Sequence, residues 1–126
     1  MIVRRLTELL GTERDVAWGN GQSRRFLVAR DGMGFGLADT TVQGGTSSTM
    51  QYRNHLMSAY VVSGEGRLEA EGGAIHELGP GTMYALDRHD RYTLHAESDL
   101  RVLCIFNPPL EGSERHDLSR KEGSSY

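Results

Sequence analysis

The chain is short of cysteine, of proline and of long apolar runs. Cys104 is the only cysteine in 126 residues, which excludes an intrachain disulfide and a cluster of thiolate ligands. It stands in VLCIF (102–106), where a free cysteine packs as a small buried hydrophobe. That run and AYVV (59–62) are the longest apolar stretches. Both are far shorter than the roughly 20 residues of a membrane-spanning helix, so no membrane partner is expected. The opening MIVRRLTELLGTERD alternates charged and apolar residues and has no apolar core of a secretory signal. The expected location is cytoplasmic. Positive charge is not in excess either. Lys and Arg number 14 against 17 Asp and Glu, for a net charge of −3, so no basic footprint suggests a nucleic-acid partner.

Glycine is plentiful, at 16 residues, and falls in no Gly-X-Y period. With only 3 prolines, this is the composition of many tight turns rather than of disorder. The length suits one domain with one core. Segments of β character recur roughly every ten residues with turn signals between them, the pattern of a sandwich or barrel. They are RRFLVAR (24–30), FGLADTTV (35–42), STMQYR (48–53), AYVVSGEG (59–66), RLEAE (67–71), AIHEL (74–78), TMYAL (82–86), RYTLHAE (91–97) and SDLRVLCIFNPPL (98–110). In TMYAL, Tyr84 shares a face with Thr82 and Leu86, opposite Met83 and Ala85. An inward face of that kind makes Tyr84 a site candidate. LTELL (6–10) is the best helix candidate, a short turn ended by Gly11. The expectation is an all-β, cupin-type small barrel, jelly-roll-like, over residues 1–110. A polar tail, 111–126, follows. By composition alone the tail is a frayed terminus.

Cupin barrels carry two glycine-framed motifs whose histidines and glutamate point into the barrel, because residues two apart on a strand face one side. The first frame fits from Gly45 to Gly64 and puts Gln51, Arg53 and Met57 at the ligand positions. The second starts at Gly81 and puts Tyr92 at its last ligand position. An arginine cannot give up its proton to bind a metal, and a thioether is a soft ligand better suited to Cu(I). The barrel spacing is kept while the usual metal cage is not. His55, Tyr84 and His89 are a conceivable replacement set. His76 and His95, in charged strand-like segments, are expected at the surface.

Longer stretches carry a sharper resemblance. MIVRRLTELLGTERDV, DGMGFG, YRNHL, GEG, GPGTMYALDRHDRY and FNPPLEG together resemble the L-ectoine synthases, from the first residue to about Asp117. That resemblance implies a dimeric cupin that cyclises N-γ-acetyl-L-2,4-diaminobutyrate to the compatible solute ectoine, with loss of water. The activity is that of a hydro-lyase serving osmoprotection. It also implies ferrous iron held by a Glu, a Tyr and a His. Tyr84 matches the Tyr, whereas Met57 stands at the Glu position and Tyr92 at the His position. Iron is therefore expected of the family and expected to be absent or weakly bound in this chain. Substrate positions match at Arg25, Thr40, Tyr52, His55, Phe106, Glu114 and His116. The family's Trp position is Gly21, with Trp18 just upstream. Catalytic roles fall to Tyr52, Tyr84 and His55, with the tail as a lid through Glu114 and His116. Two further readings stay open: a metal-free binder of ectoine or a related small zwitterion, and a cupin with shifted chemistry.

Overall fold

A computed structural model of the chain describes residues 1–118 and 126. Part of the expected tail, 119–125, thus lies outside the described residues. Among those described, the expected helical turn is α1 (Leu6–Leu9) and ten strands follow. They are β1 (Asp15–Ala17), β2 (Gly21–Leu27), β3 (Gly36–Val42), β4 (Ser47–Met50), β5 (Leu56–Ser63), β6 (Gly66–Ala70), β7 (Ile75–Leu78), β8 (Met83–Leu86), β9 (Tyr92–Ala96) and β10 (Leu100–Asn107). The larger sheet runs β1-β2-β3-β10-β5-β8 and the smaller β4-β9-β6-β7. Every pairing is antiparallel. The cupin-type fold is thus a two-sheet, jelly-roll-like sandwich, whose sheets are not joined by strand pairing into a closed barrel.

Strict alternation builds the core. On β10, Leu100, Val102, Cys104 and Phe106 are buried while Arg101 and Ile105 are exposed. On β5, Met57, Ala59 and Val61 face the same interior, and on β9 so do Tyr92, Leu94 and Ala96. Residue size then sets where space is left. Ala38 of β3 pairs with both Arg25 of β2 and Cys104 of β10. Ala59 of β5 pairs with Cys104 and with Tyr84 of β8. These small side chains lie at the middle of the large sheet and leave room for large polar ones beside them.

Three expectations change. The segment 24–30 is not one strand. The register shifts between Arg25 and Leu27, and Ala29–Asp31 forms a 3-10 turn. A bulge of this kind bends the strand and interrupts alternation, so Arg25 and Val28 are both buried. The Asp31 carboxylate stabilises the turn, accepting from the Val28 N–H at 2.9 Å and from Arg14 and Arg4. Its pKa is held well below the usual carboxylate range, first by Arg14. Second, β1 was not signalled by any hydrophobic alternation and exists by pairing with β2. Third, His95 is half-buried on the outer face of the smaller sheet. Its ring is held by Ser47 at 2.7 Å and by Glu69 at 2.9 Å. His76 is exposed, as expected.

The outer face of the large sheet also carries an ion cluster built on a buried carboxylate. Asp39 is 1% exposed and accepts from Arg24 at 2.8 Å and from Arg101 at 2.6 Å. Burial pushes this carboxyl up, but the two guanidiniums outweigh it and the net shift is downward. The cluster ties β2, β3 and β10 together.

Candidate functional site

The site lies between the sheets, where the small residues of β3, β5 and β10 leave space. Its wall brings together Thr40, Tyr52, Met57, Tyr84, Tyr92, Phe106, His116, Trp18 and Tyr126. The remaining free volume is about 20 Å³, room for about one water molecule. A larger groove of about 980 Å³ opens at the surface between β7 and β8, with Tyr84 and Tyr92 along it. It is lined by charged and apolar side chains together, such as Glu77, Asp87 and Arg91 beside Ile75, Leu78 and Met83, and it holds none of the residues matched to the family's substrate positions. The interior site is the one that gathers them.

Arg25 is fully buried and anchors one end. Its guanidinium donates to the carbonyl of Gly112 at 2.8 Å, to the carbonyl of Glu114, to the hydroxyl of Ser23 and to the phenol of Tyr126 at 2.8 Å. Among the described residues no carboxylate is in hydrogen-bond contact with it. The nearest, Glu114, is 3.9 Å away. The Glu114 carboxylate is instead held by the backbone N–H groups of Glu111 and Gly112, at 2.8 and 2.9 Å. Burial raises its pKa, but those N–H groups and Arg25 carry the net shift downward. A buried cation met mainly by neutral acceptors is an unspent anion site, since charge-assisted contacts to a carboxylate are about twice as strong as neutral ones.

Two histidines flank this end. His55 Nδ1 lies 2.7 Å from the Pro108 carbonyl. A carbonyl can only accept, so Nδ1 carries the proton and Nε2 of the neutral ring carries the lone pair. Nε2 faces Glu114 at 3.7 Å. His55 does not line the cavity. It lies beside Phe106, with ring centroids 6.1 Å apart. His116 is on the cavity wall, and its Nε2 is 3.0 Å from the Tyr52 hydroxyl. Burial and then Arg25 push the His116 pKa down to about 3, so the ring is neutral near pH 7.

A chain of phenols runs inward from there. Tyr92 packs against Tyr84 with ring centroids 6.2 Å apart, and Tyr52, Tyr92, Tyr84 and His116 line one interior surface. Burial raises the pKa of all three phenols, and neighbouring phenols push Tyr52 and Tyr84 further up. They are therefore donors, not phenolates. Burial likewise pushes the Cys104 thiol up to about 12, which removes it as a nucleophile.

This donor set does not fit a ferrous ion. Hard or borderline N and O ligands suit iron, whereas the positions matching the family's ligands offer the Met57 thioether and the phenols of Tyr84 and Tyr92, and the His116 imidazole on the same wall has its Nε2 turned to the Tyr52 hydroxyl. Among the described residues, no group of three or more His, Cys, Asp or Glu is placed to hold a metal. The replacement set has separate tasks. His55 is turned to Pro108, Tyr84 packs on Tyr92, and exposed His89, at φ 53°, holds the Tyr52 carbonyl at 2.8 Å.

Trp18 settles the question raised by Gly21. A Cβ on Gly21 would collide with the Thr41 carbonyl and lie 3.1 Å from the Trp18 ring. No side chain fits at 21, and the Trp18 ring fills the corner instead, edge-on to His116 at 5.6 Å. Tyr126 is the residue that motif reasoning did not single out. Its sequence surroundings, EGSSY, give no pattern, and only tertiary packing puts it in the site.

The His116 contact makes a prediction. Trp18 is the only tryptophan and touches that ring. In the folded state His116 titrates near pH 3, and in the unfolded state near 6.5. Its contribution to stability is therefore full above about pH 6.5, and it is lost as pH falls towards 3. Urea midpoints followed by Trp18 fluorescence should fall through this window, and the slope should flatten in His116→Gln. An equal slope in both proteins would contradict the assignment.

Comparison with known proteins places the chain. Residues 1–124 match the family described as "Ectoine synthase". The L-ectoine synthase of Desulfatibacillum aliphaticivorans is 48% identical over 120 residues, covering 93% of this chain and 92% of that protein. That of Desulfosudis oleivorans is 44% identical over 119 residues, with 93% and 92% covered. The crystal structure of ectoine synthase from P. lautus superposes with a TM-score of 0.86 at 44% identity, covering 90% of this chain and 82% of that one. KdgF from a Halomonas species, at 22% identity and a TM-score of 0.60, shares the fold alone.

Proposed function

The chain belongs to the ectoine synthase family, and from that premise we propose that it closes N-γ-acetyl-L-2,4-diaminobutyrate to ectoine without the family's ferrous iron. The observation that carries the second half is the interior donor set, Met57 with the phenols of Tyr84 and Tyr92.

The reaction needs four things. The substrate carboxylate must be held, and Arg25 is the buried cation for it. The α-ammonium must lose a proton before it attacks the acetyl amide carbon. The Glu114 carboxylate, 3.7 Å from His55 Nε2, is the basic group placed to take it, and Tyr52, hydrogen-bonded to His116, is a neutral phenol that orients the amine. The amide oxygen must be polarised as the C–N bond forms. Tyr84 and Tyr92, kept protonated by burial, supply O–H donors for it, in the manner of an oxyanion hole. Finally that oxygen collects the two protons given up by the amine and leaves as water, and a protonated cyclic amidine remains. Thr40 and Phe106 complete the wall. Neutral phenols polarise an amide less than a metal ion does, so turnover is expected to be slow.

The test is product formation in metal-free buffer, followed by NMR. A second reading, a metal-free binder of ectoine or a similar zwitterion, is favoured by Met57, which leaves one corner of the site without a polar group. Binding of ectoine without any conversion would select it.

A homodimer is part of the same reading. The outer face of the large sheet exposes Tyr60, Met83, Ile105 and Leu56 together, an apolar face of the kind that marks an interface. A monomer mass by sedimentation would remove this assignment. No helix is long and apolar enough to cross a membrane among the described residues. The cytoplasmic location rests on composition, and recovery in a membrane or secreted fraction would remove it.

A further inference from the structure

Tyr126 occupies the interior site almost completely. It is 3% exposed. Its ring lies nearly parallel to His116, at 4.4 Å and 27°, and to Phe106, at 6.0 Å and 18°. Tyr52 meets it edge-on at 4.6 Å. Its phenol accepts from Arg25 at 2.8 Å, and its carbonyl accepts from the Arg53 N–H at 3.0 Å. The side-chain contacts Arg25, Tyr52, Phe106 and His116 are all residues proposed above to hold substrate. With this ring in place about 20 Å³ is left, too little for any organic ligand.

The site also retains two unmet demands. Arg25 is paired with a neutral phenol where a carboxylate would bind more strongly. The Trp18 indole N–H, buried on the same wall, has no acceptor among the described residues, and leaving such a donor unpaired is unfavourable. Both point to a ligand with more acceptor character than tyrosine.

We propose that Tyr126 is an internal occupant that holds the place of a compact six-membered ring bearing an acidic group, and that ligands of this class enter only by displacing it. The aromatic rings receive the ring, and Arg25 receives the acid. The inference rests on the reading of this cavity as the substrate site, and it adds that the cyclic, carboxylate-bearing form is the better fit. An open-chain ligand meets the stacking surfaces less well.

The experiment compares wild type, Tyr126→Ala and Tyr126→Phe by calorimetry with two probes. The first is p-cresol, the tyrosine side chain as a free molecule. The second is ectoine. Tyr126→Ala should bind p-cresol where wild type does not. It should also bind ectoine at least about tenfold more tightly, the equivalent of one lost competing contact of ~1.4 kcal/mol. Tyr126→Phe should fall between, since it keeps the ring and loses the Arg25 contact. Thermal melts confirm that each variant folds. If Tyr126→Ala does not fold, Tyr126→Phe carries the test, and an ectoine Kd equal to that of wild type overturns the proposal. Equal p-cresol binding in wild type and Tyr126→Ala, or equal ectoine binding, also overturns it. If p-cresol discriminates while ectoine binds to none of the three, the occupancy stands and the substrate reading fails.

Discussion

Changing Met57 to Glu and Tyr92 to His together should make the chain bind ferrous iron near stoichiometrically. Met57 is on β5 and Tyr84 is on the neighbouring β8, while Tyr92 faces them from β9 of the other sheet. The pair of changes would give a carboxylate, an imidazole and the Tyr84 phenol around one interior volume, enough protein ligands for an open metal site. Each change alone should do much less, because two donors leave the ion under-held. The apo double variant should be less stable than wild type. It would bury a carboxylate and an imidazole without a cation, and an unpaired buried polar group costs about 1–3 kcal/mol. Added ferrous iron should then raise its melting temperature and leave wild type unmoved. Iron analysis after desalting and melts with and without iron check both parts. No gain in iron on the double variant would mean that these positions do not converge.

Arg25→Met should nearly abolish ligand recognition. The guanidinium is the only fully buried cation among the described residues, and two charge-assisted hydrogen bonds to a carboxylate are worth about 3–6 kcal/mol together. A drop in kcat/KM of roughly a thousandfold corresponds to about 4 kcal/mol. Arg25 also holds the carbonyls of Gly112 and Glu114, so the 111–118 segment should loosen and thermal stability should fall. Arg25→Lys separates the two effects. It keeps the charge and loses the fork, and should recover part of the binding and little of the stability. Ectoine titrations and melts on both variants decide. Unchanged ectoine affinity in Arg25→Met would remove Arg25 from the ligand site.

Much of the fold was legible in the sequence because period-two alternation and glycine turns are local signals. β10 and β9 could be read almost directly from SDLRVLCIFNPPL and RYTLHAE. The break in β2 could not, because a bulge depends on the register with β3 and on the Asp31 turn. β1 could not, because its side chains are half-exposed and its existence depends on its partner. In the site, the glycine frames pointed to Gln51, Arg53, Met57 and Tyr92 and strand alternation to Tyr84, and of these Met57, Tyr84 and Tyr92 line the interior while Arg53 is exposed and Gln51 lies off that wall. It could not show that His116 meets the Tyr52 hydroxyl, or that His55 is turned to Pro108. Those depend on how two sheets and a tail meet. Tyr126 is the extreme case, a polar-tail residue whose role exists only through contacts with strands far away in sequence.

The measurement that tests the account most directly is metal analysis and turnover on one preparation. N-γ-acetyl-L-2,4-diaminobutyrate would be supplied to protein as purified, to protein treated with chelator, and to protein given ferrous iron. The account predicts iron far below one per chain and slow ectoine formation that is the same in all three. Ectoine formation that rises with bound iron and is lost to chelator would contradict it, because a ferrous site would then exist that Met57, Tyr84 and Tyr92 do not explain.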